Sequence, residues 1–387
     1  MKILFYCQHV LGVGHFFRGL EICRALDRHQ VVMAVGGPPL DHGDLGRVKL
    51  ERLPELSMDA EFKTFRRSDP HTPLAEIRAK RKRILAGIFD ELDPDVFIVE
   101  LYPFGRKAFR FELDPLLEKA RIKPSGTRLT VCSLRDILVE KKDQAAYEAR
   151  VVETLNKYFD ALLVHSDPVL IDLNRTFAGL DRLKIPLVYT GFVAAQPRPG
   201  AREDIRTSLG LKQEEKLIVA AAGGGAVGFE LLAAASRALT LLPASPRHFL
   251  QIFSGPFMSD EDFEALRVSA GEGIRIERFT PDYTSWLAAA DLSLSLAGYN
   301  TTMNILAAGV PALVLPFAQN REQRMRAEAM ARLGALEILS PGDLDPDRLA
   351  GRITAGLEKT PARPGIDLDG AARTALWLEN RMREKIR

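Results

Sequence analysis

Leu296-Ala-Gly-Tyr-Asn-Thr-Thr-Met-Asn-Ile-Leu-Ala-Ala-Gly-Val-Pro-Ala-Leu-Val-Leu-Pro316 is the stretch whose reading decides the fold. A buried strand over 292–296 runs into a turn at Gly298. Asn300, Thr301 and Thr302 then open a helix over 301–308, where side-chain and backbone donors converge on an anion. Gly309-Val-Pro311 stops that helix and starts a strand over 312–315. Pro316 closes this strand into the polar loop 318–322. Helix capping alone would account for one polar residue at 300–302, not for a polar run beside a second glycine loop.

That second loop lies upstream, at Ala222-Gly-Gly-Gly-Ala-Val-Gly228. It follows the apolar strand 217–222 and opens the helix 229–241. Four glycines in so short a span bring backbone N–H groups up to a diphosphate, which a purely structural turn rarely requires. Around it the chain alternates: strand 249–253, helix 261–269, strand 274–278, helix 283–289, then helix 323–333 after the strand at 312–315. Strands apolar throughout and separated by helices imply a parallel sheet covered on both faces.

The same rhythm fills the first half, with strands at 2–7, 31–35, 96–99, 128–132, 161–164 and 187–189. Helices are expected at 17–26, 74–92, 115–121 and 144–159. The segment 194–201, AAQPRPGA, breaks the alternation and reads as a linker. The first strand leads into Leu11-Gly-Val-Gly-His-Phe16, where Gly12 and Gly14 permit a tight turn and expose a helix N-terminus. A dinucleotide site would want a third glycine where Phe17 stands, so a nicotinamide cofactor is not expected. His15, at the mouth of this turn, titrates near neutrality and suits a general base. The bland alternative is a capping histidine.

With 387 residues the chain suits two domains. The net charge of +2, from 53 basic and 51 acidic side chains, excludes a dedicated nucleic-acid binder. Cys7, Cys23 and Cys132 lie far apart in apolar runs, as buried thiols of a reduced compartment do. The N-terminus lacks a signal peptide's longer apolar region, and no stretch is long enough to span a membrane. A cytoplasmic location is expected. Contact with a membrane surface stays open, as does oligomeric state.

The sequence G-Y-N-T-T-x-x-x-x-x-A-G-V-P-A-L-x-x-P-F from Gly298 resembles the donor-site signature of the GT-B glycosyltransferases related to the MurG-type, UDP-N-acetylglucosamine-using transferases. It is similar, more distantly, to the G-W-N-S-T-x-E motif of UDP-glucuronosyl and plant glucosyltransferases. The turn Gly12–His15 fits the family's acceptor side. Segments 94–100, 134–136, 165–168 and 189–191 look like an uncharacterised bacterial branch of it. The likeness runs over about 1–340.

The resemblance implies an α/β fold of two Rossmann-like domains with a central cleft. An acceptor-side domain would occupy 1–195 and a nucleotide-sugar-binding domain 196–365, with the helix 366–387 returning to the first domain. It further implies that Gly224 and Gly225 approach the donor diphosphate, and that Gly298, Asn300 and Thr301 bind its phosphates. Phe279 and Thr280 would frame the base, and Gln323 would contact the transferred sugar. In the family a glutamate four residues after the asparagine grips the ribose; here Asn304 stands there, uncharged and with one acceptor oxygen. The glucosyltransferase motif has a histidine where this chain has Leu296, so the MurG branch is the closer match.

Glu100, at the carboxyl end of strand 96–99, would face the cleft and orient His15 or bind an acceptor hydroxyl. Asp136 is a similar candidate. Either could instead cap a helix or pair with Arg135 or Arg106. The basic stretch 62–83, with Lys63, Arg66, Arg67, Arg78, Lys80, Arg81, Lys82 and Arg83, reads first as a solvated helix face, with acceptor or membrane-edge contact as the sharper alternative. Asp93-Pro-Asp95 reads as a turn rather than a metal-binding D-x-D.

The expected activity is metal-independent, inverting transfer of a sugar from a nucleoside diphosphate, UDP by resemblance, to a hydroxyl acceptor. No cofactor is expected beyond the donor as substrate. A nucleotide-sugar 2-epimerase or hydrolase of the same fold is the rival enzyme, and a non-catalytic nucleotide-sugar-binding protein the rival of another class.

Overall fold

The computed structural model describes the chain except residues 11, 59–63, 68, 70, 123–127, 320, 363–364 and 387. Leu11 of the first glycine turn and Lys63 of the basic stretch therefore lie outside the described residues. The chain forms two units, Met1–Val193 with Asp367–Arg387, and Ala194–Ile366.

Unit 1 contains, in order, β1 (Lys2–Gln8), α1 (Gly14–Arg24), β2 (Gln30–Gly36), β3 (Lys49–Arg52), the short β4 (Ser57–Met58) and β5 (Phe65–Arg66), and α2 (Leu74–Leu92). It continues with β6 (Val96–Glu100), α3 (Arg110–Arg121), β7 (Leu129–Arg135), α4 (Gln144–Tyr158), β8 (Ala161–His165) and β9 (Leu187–Tyr189). Seven strands form a sheet in the order β3-β2-β1-β6-β7-β8-β9, parallel throughout.

Because side chains alternate along a strand, each face of this sheet has its own core. Leu4, Tyr6, Phe97, Val99, Cys132 and Leu134 pack with apolar residues of α2, α3 and α4. Ile3, Phe5, Val31, Met33, Ile98 and Val131 face the other way, against Phe16, Leu20 and Cys23 of α1. The last helix, α12 (Gly370–Ile386), completes this second face with Ala375, Leu378 and Met382. Polar contacts tie it down: His29 Nε2 to Glu379 at 2.9 Å and Lys385 Nζ to the Arg128 carbonyl at 2.9 Å.

The basic stretch departs from the solvated-face reading at Arg81. That side chain is fully buried, donating to Glu112 (2.6 Å), Gln8 Oε1 (2.7 Å) and the Pro54 carbonyl (2.6 Å), while the Tyr6 hydroxyl donates to Glu112 at 2.6 Å. A buried guanidinium is tolerable here because each contact is charge-assisted. Arg78 also turns inward, over Phe65 and Phe111.

Unit 2 runs α5 (Ala201–Ser208), β10 (Lys216–Ala221), α6 (Phe229–Leu239), β11 (His248–Phe253), α7 (Asp260–Val268), β12 (Ile274–Glu277), α8 (Tyr283–Ala289) and β13 (Leu292–Leu296). It ends with α9 (Tyr299–Ala308), β14 (Ala312–Leu315), α10 (Arg321–Arg332), β15 (Glu337–Ile338) and α11 (Pro346–Leu357). Its sheet has the order β12-β11-β10-β13-β14-β15, again parallel. This is the 3-2-1-4-5-6 order of a doubly wound mononucleotide-binding sheet, whose strand order reverses between β10 and β13. In unit 1 the reversal falls between β1 and β6. Among the described residues no helix is long and apolar enough to cross a membrane.

Candidate active site

In a doubly wound sheet, ligands bind outside the carboxyl ends of the strands where the order reverses. In unit 2 the two loops leaving that point are the two glycine loops. After β10, Gly223 and Gly225 take left-handed φ of +65° and +87°, which a side chain rarely adopts. Their duties differ. A methyl group on Gly225 would stand 2.5 Å from the Ser254 carbonyl oxygen, so this glycine is required for packing. Phe257 N donates to the Gly224 carbonyl at 2.9 Å, stitching the loop to the chain after β11. Gly223 is exposed and faces open space; a methyl group there would meet only Thr301 Oγ1, at 3.9 Å.

After β13, Gly298 is the N-cap of α9, without a side-chain cap. A methyl group on Gly298 would likewise meet only Thr301 Oγ1, at 3.8 Å. One hydroxyl therefore stands against both glycine turns. The turn is held from behind: Thr302 Oγ1 donates to the Gly298 carbonyl at 2.9 Å, and the buried Arg326 donates to the Ala297 carbonyl at 3.2 Å with its guanidinium over the Tyr299 ring. Asn300 and Thr301 sit in the first turn of α9, whose leading amides have no partner within the helix and carry its positive end. Asn304 lies one turn on, half-buried.

Phe279 and Thr280 follow β12, at the same carboxyl-terminal edge two strands from β10. Thr280 Oγ1 accepts from Asp282 N at 3.2 Å. Gln323, in α10, accepts from Phe317 N at 3.0 Å and so closes the loop after β14. Sequence reasoning placed Gly224 and Gly225 at the ligand and passed over Gly223. The three consecutive glycines carry no signal for which of them is exposed.

Unit 1 repeats the construction with different chemistry. Helix α1 begins at Gly14, earlier than the apolar spacing suggests, so His15 stands in its first turn. Glu100 ends β6, next to β1. The reversal point thus brings together residues 85 apart in sequence: His15 Nδ1 lies 2.7 Å from Glu100 Oε1. Arg18, one turn along α1, donates to the same oxygen at 2.5 Å. The His15 side chain is 20% exposed and that of Glu100 1%. With Nδ1 donating to the carboxylate, Nε2 is the lone-pair nitrogen. Gly12 faces open space. Asp136 is fully buried, one oxygen accepting from the Ile137 amide at 2.8 Å.

Deeper in unit 1, Ser133 Oγ, His165 and Thr190 Oγ1 form a chain with both links at 2.8 Å, fully shielded from solvent. Burial pulls His15 well below the ordinary histidine range, with Glu100 opposing and Arg106 assisting. Burial likewise lowers His9 to about 4 and His165 to about 3. Above about pH 6.5 these groups are neutral in both folded and unfolded chains. Below it the unfolded chain binds protons that the folded one refuses. Stability is therefore full above that value and is lost as pH falls towards the folded values, by about 1.4 kcal/mol per pH unit for each histidine. Urea unfolding at about pH 7 and about pH 5 should show this fall; equal stabilities would refute it.

Residues 220–364, spanning both glycine loops and α9, match the C-terminal domain model of glycosyltransferase family 28. Most of unit 2 thus resembles a family 28 glycosyltransferase C-terminal domain. A relative from Burkholderia thailandensis, a UDP-N-acetylglucosamine–N-acetylmuramyl-(pentapeptide) pyrophosphoryl-undecaprenol N-acetylglucosamine transferase, is 34% identical over 140 residues, 35% of this chain and 38% of its own. The chain thus aligns with little more than a third of that relative's length.

Among solved structures, MurG of Acinetobacter baumannii superposes with a TM-score of 0.56 at 15% identity, over 98% of this chain and all of that one. A Listeria monocytogenes protein assigned as a UDP-N-acetylglucosamine 2-epimerase reaches 0.61 at 13% identity, over 100% and 98%. The fold around the family 28 domain is accordingly the MurG-like GT-B fold of two Rossmann-like units.

Proposed function

We propose that the chain is a glycosyltransferase that takes a sugar from a nucleoside-diphosphate donor, uridine being the expected base, and passes it to a hydroxyl acceptor. The observation that carries this is the convergence of Gly223 and Gly298 on Thr301 at the reversal point of the family 28 sheet. There the amides of two turns and the start of α9 offer positive dipole ends to a diphosphate. Gly223, Gly298, Asn300 and Thr301 line that cradle, with Gly224 and Gly225 shaping the loop behind it; Phe279 and Thr280 frame the base, Asn304 reaches the ribose and Gln323 the sugar.

His15 accepts the acceptor's proton on Nε2 while Glu100 steadies the imidazolium that forms. Attack by the hydroxyl opposite the departing diphosphate inverts the anomeric carbon. The leaving charge is met by amides and a helix N-terminus, so the reaction is expected to survive chelator treatment. The sequence likeness to the Burkholderia transferase supports the reading, as does the MurG-like fold.

Calorimetry with UDP, TDP and GDP, followed by a donor turnover assay, tests it. Binding of one diphosphate with transfer to an acceptor is expected. Binding without turnover would leave a nucleotide-sugar-binding protein, and conversion of the free donor sugar would point to the epimerase alternative. Asn304 offers a narrower check. Asn304→Glu restores a carboxylate one turn from Asn300 and should tighten nucleotide binding by about tenfold, the usual worth of a charge-assisted hydrogen bond. No gain would remove the ribose from that position.

A further inference from the structure

The loop leaving β6 carries a guanidinium that the scheme above leaves unused. Leu101 and Arg106 bracket this loop with left-handed φ of +65° and +60°, a backbone state costly for long side chains. The loop is held firmly in it. Leu101 N donates to the Ser133 carbonyl at 2.8 Å, Gly105 N to the Leu101 carbonyl at 2.9 Å, and Phe109 N to the Arg106 carbonyl at 2.8 Å. The Tyr147 hydroxyl donates to the Phe104 carbonyl at 2.9 Å. The backbone of Arg106 is thus set by several contacts rather than by its own preference.

Its side chain is left unsatisfied. Nε and Nη2 of Arg106 are both buried without a hydrogen-bond partner. The guanidinium feels Glu100 as an attraction and Arg135 as a repulsion, and it acts on both His9 and His15. Glu100 does not satisfy it: the hydrogen bonds of that carboxylate to His15 and Arg18 both use Oε1. Orphaned donors on a buried charge are expensive, and in a native fold such groups are met by an ordered water, an ion or a ligand. The fork geometry of a guanidinium matches a planar carboxylate or a phosphate.

We propose that Arg106 holds an oxyanionic group of the acceptor, a carboxylate or a phosphate, beside the His15–Glu100 pair. The assignment to the acceptor rests on the transferase reading; the anion site itself does not. It places a negative charge on the molecule that receives the sugar, and it makes the loop 101–106 the element that selects it. A neutral hydroxyl compound could accept from these donors but brings neither the charge nor the bidentate geometry, and is selected against.

The full chain, labelled with ¹⁵N-arginine, provides the test. The Nε–H signal of Arg106 is the one lost in Arg106→Lys, and the exposed Arg267 serves as internal control. Inorganic phosphate and acetate are titrated separately, without nucleotide. A saturable shift of the Arg106 signal with either anion, larger than that of Arg267, is expected; phosphate alone would mark a phosphorylated acceptor and acetate alone a carboxylated one. Arg106→Lys, which keeps the charge but loses the fork, should bind the same anion about tenfold more weakly. An Arg106 signal that moves no more than that of Arg267 overturns the proposal. So does displacement of the anion by UDP, which would make the site part of the donor's. A separate UDP titration reports on the donor reading, and its failure would leave the Arg106 result standing.

Discussion

Gly298→Asp should cost the protein its nucleotide and cost the fold nothing. Gly298 has φ −63° and ψ 156°, ordinary values for a helix N-cap, and open space around the position where a side chain would start. Aspartate is among the best N-cap residues, and exchanging glycine for it typically adds a few tenths of a kcal/mol. The same carboxylate would cover the leading amides of α9 and set a negative charge where a diphosphate is proposed to lie. At ~4 Å and an effective dielectric constant of ~20, two like charges repel by about 4 kcal/mol. Affinity for UDP should fall by at least about 100-fold, even after screening by salt. Calorimetry with UDP and a thermal melt of the free protein read the two effects separately. An equal or higher melting temperature with lost binding is expected; unimpaired binding would remove the diphosphate from this turn.

His15→Ala should do the reverse, sparing the nucleotide and removing the chemistry. The residue belongs to unit 1, whereas the proposed diphosphate cradle is built wholly from unit 2. Positioned proton transfer contributes about 10²–10⁴-fold to turnover, and a loss of that size is expected with UDP affinity changed by less than about twofold. His15 is the right handle because Glu100 is not a clean one. Glu100→Gln also takes the charge partner from the buried Arg18, and stranding a buried charge costs about 3–5 kcal/mol of stability. Steady-state kinetics of His15→Ala beside its melting curve separate the roles; unchanged turnover would leave the proton acceptor elsewhere.

Much of this architecture was legible in the chain itself. Segments such as Val96–Val99 are apolar at every position because both sheet faces are covered, and that pattern is read directly. Helix α8 at Tyr283–Ala289 is found where the spacing puts it. Edge and short elements were not legible. β3, KLER, is mostly polar because it borders the sheet, and α5 follows the linker with a largely charged sequence.

The candidate site divides in the same way. The glycine loops and the polar run at 300–302 announce themselves locally. The pairing of His15 with Glu100 depends on which strands are neighbours, and Arg18 reaches Glu100 only because α1 begins at Gly14. Nor does composition separate Arg81, locked to Glu112, from the exposed cations beside it, since that choice is made by the turn of α2 facing the sheet. Arg106 entered the sequence reading only as a possible ion-pair partner. Its importance comes from contacts it fails to make, which no residue pattern encodes.

The helix α12 has a consequence for the way the chain is made. Its Ala375, Leu378 and Met382 cover part of the face formed by Ile3, Phe5 and Val31, yet they are made only after unit 2. Between Val193 and Asp367 the whole of unit 2 must be translated. At about 5–20 residues per second that takes roughly ten to thirty-five seconds. Throughout this interval the nascent first unit keeps a greasy strip of sheet uncovered, so each newborn molecule offers chaperones and sister chains a window that closes only once α12 has been made.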